Sequence, residues 1–104
     1  MEIIWAEEAF RAWQDAVDYI VEEFGVRAAE KFYKKTEEWQ DVLSSSPKAG
    51  KIEPLLNNRS RSYRSIVITK QNKLIYYIED ETIFIVGFWD VRREPEALAA
   101  QVKG

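Results

Sequence analysis

The sequence predicts an α+β domain: an N-terminal strand and an antiparallel helical hairpin packed on an antiparallel sheet, with a short C-terminal helix. Three observations predict it. Apolar residues recur at steps of three and four up to Leu43, then at steps of two from Ile52 onward. The links between successive elements are only a few residues long, which forces neighbours to run antiparallel. Finally, 104 residues with 46% apolar and 13% aromatic content suffice for one real core. No repeat, low-complexity stretch or linker divides the chain, so residues 1–104 read as a single domain.

"EIIW" (2–5) is rich in β-formers and reads as a short strand. "AEEAFRAWQDAVDYIVEEFG" follows as a helix, with Phe10, Trp13, Val17, Ile20 and Phe24 on one face. Glu7 and Glu8 suit its positive N-terminal end, and Gly25 stops it. "VRAAEKFYKKTEEWQDVLSSSP" is a second helix, with Ala29, Phe32, Thr36, Trp39 and Leu43 on its stripe. The tight link makes the two helices a hairpin. Charges such as Glu30 and Lys34 stand at helical spacing and read as its wet surface.

"SSSPKAG" (44–50) ends the second helix. "IEPLL" is an edge strand or a loop, because Pro54 argues against a central position. "RSYRSIVIT" (61–69), "KLIYYIE" (73–79) and "TIFIVGFWD" (82–90) are three strands, linked by turns at 70–72 and 80–81. Both faces of the last two are apolar, so one covers the hairpin and the other lies under the C-terminal segment or a partner chain. Pro95 opens the final helix, "EALAAQV".

Composition removes several kinds of chemistry. There is no Cys, hence no disulfide, thiolate metal site or Cys nucleophile. There is no His, the usual acid–base residue near neutral pH. With both missing, a zinc site is not expected, and neither another metal nor a cofactor is. No run of 18 apolar residues would span a membrane, and an acid stands where a signal peptide wants a base. A cytoplasmic protein is expected.

The net charge of −3 is uneven. Residues 1–41 hold 5 basic and 11 acidic side chains, a balance of −6; residues 42–104 hold 10 and 7, a balance of +3. Lys48, Lys51, Arg59, Arg61, Arg64, Lys70 and Lys73 face Glu53 alone within 48–73. An anionic partner would choose that stretch. Charge alone supports equally a solvated, Arg-rich loop that binds nothing.

The order β-α-α-β-β-β in about a hundred residues resembles the RelE/ParE superfamily of toxins from bacterial type II toxin–antitoxin systems. The opening "EIIWAEEAFRAWQDAVDYIVEEFG" is similar to the family's start, and "RSYRSIVITKQNKLIYYIEDETIFIVGFWDVRREP" to its second half. The resemblance covers almost the whole chain and rests on order and spacing rather than on one motif. It implies a growth-inhibiting, plasmid-stabilising toxin held inactive by a cognate antitoxin whose C-terminal segment wraps it. It also implies one of two targets: DNA gyrase in the ParE branch, or the ribosome, where RelE-branch toxins cut mRNA without metal.

For the RelE branch, the resemblance places candidate catalytic residues at Arg92, Lys73 and Arg64. Metal-free RNA cleavage needs a base for the 2′-hydroxyl, cations for the transition state and an acid for the leaving group. The family's late Tyr or His is missing, since Tyr77 is the last Tyr. That departure and the long hairpin favour the ParE-like target over the endonuclease. A non-toxic interaction module is a third reading, equally compatible with a greasy second sheet face. Candidate nucleic-acid or target contacts are Arg59, Arg61, Arg64 and Lys51.

Spacing assigns Trp5, Phe10, Trp13, Phe32, Trp39 and Phe88 to the core. Tyr76 and Tyr77 point to opposite faces, one core and one accessible. Trp89 either packs on the final helix or meets the antitoxin; Trp89 and Tyr77 are the antitoxin-contact candidates. Asp90 and Arg92 share a face and are placed to pair, whereas Arg93 points away into solvent.

Overall fold

The computed structural model describes residues 1–92 and 95–102. The element order is β1 (Glu2–Trp5), α1 (Glu7–Phe24), α2 (Val26–Ser45), β2 (Lys51–Ile52), a 3-10 turn (Pro54–Leu56), β3 (Arg64–Val67), β4 (Asn72–Glu79), β5 (Thr82–Asp90) and α3 (Pro95–Gln101). The expected α+β architecture is present. "IEPLL" is neither a single strand nor a loop: a two-residue edge strand leads into the 3-10 turn. The strand expected over 61–69 is shorter, since only 64–67 pair.

Gly25 joins the two helices by itself. Its N–H donates to the carbonyls of Ile20 and Val21, at 3.1 and 3.0 Å, and closes α1. Its carbonyl accepts from Ala29 and opens α2. Its φ of 92° lies where a Cβ is strained, so glycine belongs there. A one-residue joint leaves the helices no option but antiparallel packing.

The five strands form one sheet in the order β1-β5-β4-β3-β2. The meander β3–β4–β5 is antiparallel as expected. The exception is β1, which lies beside β5 and runs parallel to it, Ile3 opposite Ile83. The chain between them, the α-hairpin followed by β2 to β4, supplies the long crossover that a parallel pair requires. The β4–β5 link is Asp80-Glu81, both at positive φ (51° and 60°), the pattern of a type I′ hairpin turn.

A bulge shapes β5. Gly87 pairs with Ile75 and Ile85 with Tyr76, so Val86 has no partner in β4. Ile85 and Phe88, three apart, therefore both face the hairpin. There they join Leu74, Tyr76, Ile83, Ile66 and Phe32 in the main core. Val86 and Trp89 face the other way, into a second core with Leu56, Tyr63, Ile75, Leu98 and Val102. α3 is thus the cover expected for the second apolar face.

The aromatic assignments hold for Phe32 and Phe88, both buried, and for Trp5, Trp13 and Trp39, packed against the core. Trp13 Nε1 donates to Thr36 Oγ1 at 3.0 Å, and Trp5 Nε1 to Gln40 at 2.9 Å, so both indoles are satisfied. Phe10 is a correction. It remains 43% exposed at the edge of the stripe, stacked on Trp13. Phe24, at the hairpin tip, is 70% exposed.

Candidate functional site

The residues expected to act together are held apart. Lys73 stands on β4 opposite Trp89, on the α3 side of the sheet. Its ammonium pairs with the carboxylate of Glu53, which is 1% exposed. Glu53 also accepts from the Leu55 N–H at 3.2 Å and caps the 3-10 turn. Lys73 thus neutralises a buried acid. It is not the open cation that a catalytic role requires.

Arg64 stands on β3 opposite Tyr76. Its Nη1 donates to the Gly50 carbonyl at 2.7 Å, with a longer contact of 3.5 Å to that of Lys48. Tyr76 Oη donates to the Pro47 carbonyl at 2.7 Å and accepts from the Gly50 N–H at 2.9 Å. Together they clamp the segment after α2 onto the sheet. Burial pushes the Tyr76 phenol above its ordinary pKa, opposed by the Gly50 hydrogen bond and the Arg64 charge.

Arg92 lies just past β5 and is exposed. Asp90 holds it in a two-point grip, Nε to Oδ1 at 3.0 Å and Nη2 to Oδ2 at 2.7 Å. The expected pair is therefore formed. Asp90's hydrogen bond and its charge raise the Arg92 pKa. Arg93 lies outside the described residues. The bulge puts Asp90 and Arg92 on the hairpin side of the sheet. There they border an open groove of about 900 Å³ between the hairpin and the β3–β4 turn. Lys31 and Lys35, one turn apart on α2, and Lys70 line the same groove. Their i, i+4 spacing was visible in the sequence; their meeting with Arg92 was not.

The second group divides as well. Arg59 donates to the Val102 carbonyl at 2.8 Å and ties down the end of α3. Lys51 is exposed on β2. Arg61 lies over the Tyr77 ring, 4.2 Å from its centroid, and meets Glu79 at 3.5 Å. With Arg64, Lys48 and Ser62 it lines a smaller hollow of about 390 Å³. Tyr76 is in the core and Tyr77 half-exposed, as alternation requires. Trp89 is 2% exposed and packs in the core beneath α3, the first of the two places expected for it. Among the described residues no cluster of three or more His, Cys, Asp or Glu is placed to hold a metal. No described helix is long and apolar enough to cross a membrane.

The model of the ParE toxin of the type II toxin–antitoxin system parDE matches residues 3–95. The chain belongs to the ParE toxin family. No curated protein matches it. Solved structures place the fold. The chromosomal ParDE toxin–antitoxin system of P. aeruginosa has a chain with TM-score 0.69 at 16% identity, over 86% of this chain and 95% of that one. The YoeB/ParE toxin of Agrobacterium tumefaciens gives 0.60 at 17%, over 86% and 98%. A chain of the heterotetrameric YoeB–YefM toxin–antitoxin complex of Staphylococcus aureus gives 0.56 at 22%, over 86% and 94%. At these identities the likeness speaks for the fold. This ParE-type toxin therefore shares its frame with ParE and YoeB toxins alike, and the side chains on that frame must carry any choice of target.

Proposed function

We propose that this ParE-family toxin arrests growth by binding DNA gyrase in the cytoplasm, without cutting mRNA, and that a cognate antitoxin neutralises it. One observation carries the choice of target. The three cations that cleavage would require are each engaged elsewhere: Lys73 by buried Glu53, Arg64 by loop carbonyls and Arg92 by Asp90. They also lie in three different places. Stabilising a pentavalent phosphate needs cations converging on one point, with a base and an acid beside them. The chain has no His and no Tyr beyond Tyr77 to supply the missing partner. The antitoxin partner is supported by the family and by the toxin–antitoxin assembly of the S. aureus relative.

A second reading, ribosome-dependent mRNA cleavage, has the exposed Arg92 beside Lys31, Lys35 and Lys70 in its favour. The deciding experiment incubates the purified toxin with gyrase and supercoiled DNA, and in parallel with translating ribosomes and mRNA. Gyrase-dependent DNA breaks with intact mRNA are expected. Codon-positioned mRNA cuts that vanish in Arg92→Ala would overturn the proposal.

A further inference from the structure

The hollow at the start of β3 has a construction that neither the fold nor the proposed target explains. Tyr77 and Phe84 are cross-strand partners on β4 and β5, with ring centroids 5.1 Å apart and planes 21° from parallel. The Arg61 guanidinium lies over the Tyr77 ring, 4.2 Å from its centroid. Tyr63, buried, meets Tyr77 edge-on at 5.8 Å and fixes its ring. Phe84, Tyr77 and Arg61 thus make a column of contacts through Tyr77. The Arg61 side chain is 44% exposed. Lys48, which is exposed, Ser62 and Arg64 line the same hollow.

We infer that this column is a binding site for single-stranded nucleic acid, taking an unpaired base on Arg61 and its phosphate beside Lys48. A planar, weakly hydrated guanidinium stacked on an aromatic ring offers a base both a π-like surface and positive charge. The exposed Lys48 matches the backbone charge of a strand, and a base within a duplex has no free face to present. Among the described residues, Glu79 is the one acid lining the hollow, 3.5 Å from Arg61. Both partners are about half exposed, so the pair is weak. Glu79 thereby sets the affinity from below. The inference does not depend on gyrase being the target, since the column is a property of the isolated chain.

The test is fluorescence anisotropy of the purified chain with a labelled ten-nucleotide oligothymidylate, at low and moderate salt. A duplex of equal length serves as comparison. The single strand is expected to bind more tightly than the duplex. Stacking on one side chain is worth about tenfold in affinity, so Arg61→Ala and Arg61→Lys should each weaken binding by about that factor. Glu79→Gln should tighten it several-fold. These are surface changes, and circular dichroism checks that each variant folds. Binding of Arg61→Lys equal to the wild type would reduce the site to plain charge and overturn the proposal. Equal binding of duplex and single strand, or none at low salt, would do the same. Gyrase poisoning would be unaffected by any of these negative results, so the two readings fail separately.

Discussion

Lys73 and Glu53 form an ion pair between β4 and the start of the 3-10 turn, with the acid almost completely enclosed. Removing one partner leaves the other charge without compensation. Glu53→Ala is expected to cost about 3–5 kcal/mol, as does breaking other buried pairs. Urea unfolding measures it, and a loss under about 1 kcal/mol would show the pair to be solvated. Lys73→Ala should be destabilising too, which separates a structural lysine from a catalytic one.

Tyr76 gives a pH dependence. Burial raises its folded pKa above the unfolded value of 10.0. The folded state therefore holds the phenolic proton more tightly than the unfolded chain. That contribution is complete below about pH 10 and is lost as pH rises through the folded pKa. Stability of the wild type should fall above pH 10 more steeply than that of Tyr76→Phe. At neutral pH, Tyr76→Phe should cost about 1–3 kcal/mol, because the Gly50 N–H and Pro47 carbonyl lose their partner. Equal slopes in alkaline unfolding would contradict the assignment.

Gly50 lies where the backbone touches that phenol. A Cβ there would stand 2.7 Å from Tyr76 Oη and 2.8 Å from the Ser65 carbonyl. Gly50→Ala should destabilise by about 1–3 kcal/mol in chemical denaturation, by overpacking. An unchanged midpoint would mean that the segment after α2 is free to move.

The β4–β5 turn offers a stabilising change. Glu81 sits at φ 60° without glycine's freedom. Glu81→Gly should raise stability by about 0.5–1 kcal/mol, because Asp-Gly is a preferred pair for such a turn. A lower melting temperature in the variant would argue that Glu81 makes a contact outweighing its strain.

Trp89 separates packing from partner contact. Trp89→Ala should cost about 3–5 kcal/mol of stability through the void beneath α3. Antitoxin affinity of the molecules that remain folded should change little. A large loss of antitoxin binding with stability intact would return Trp89 to the surface role expected from its place at a strand's end.

Elements that depend on local pattern were legible. The stripe Ala29, Phe32, Thr36, Leu43 marks α2 because helical period is written in neighbouring residues, and all four are buried. Alternation likewise separated Tyr76 from Tyr77. What pairs across long separations was not legible. Nothing in "EIIW" says that β1 joins β5 in parallel, and nothing in "IVGFW" marks Val86 as the bulged residue. Phe10 and Phe24 share the α1 stripe, but only the sheet's extent decides how far that stripe is covered. At the site, the basic stretch was plain from composition. Which of its cations meet acids or carbonyls depends on tertiary neighbours such as Glu53, twenty residues from Lys73. Arg92 and Asp90, two apart, were close enough in sequence to be paired correctly.

α3 is seven residues long, yet it helps to hide Trp89, Ile75 and Leu56. Among the described residues, the side chains of Ala97, Leu98 and Val102 and the bond from Arg59 to the Val102 carbonyl hold it there. Removal of α3 would uncover that greasy face. Chaperones and proteases treat such a surface as unfolded protein. Loss of α3 would then shorten the lifetime of this toxin in the cell.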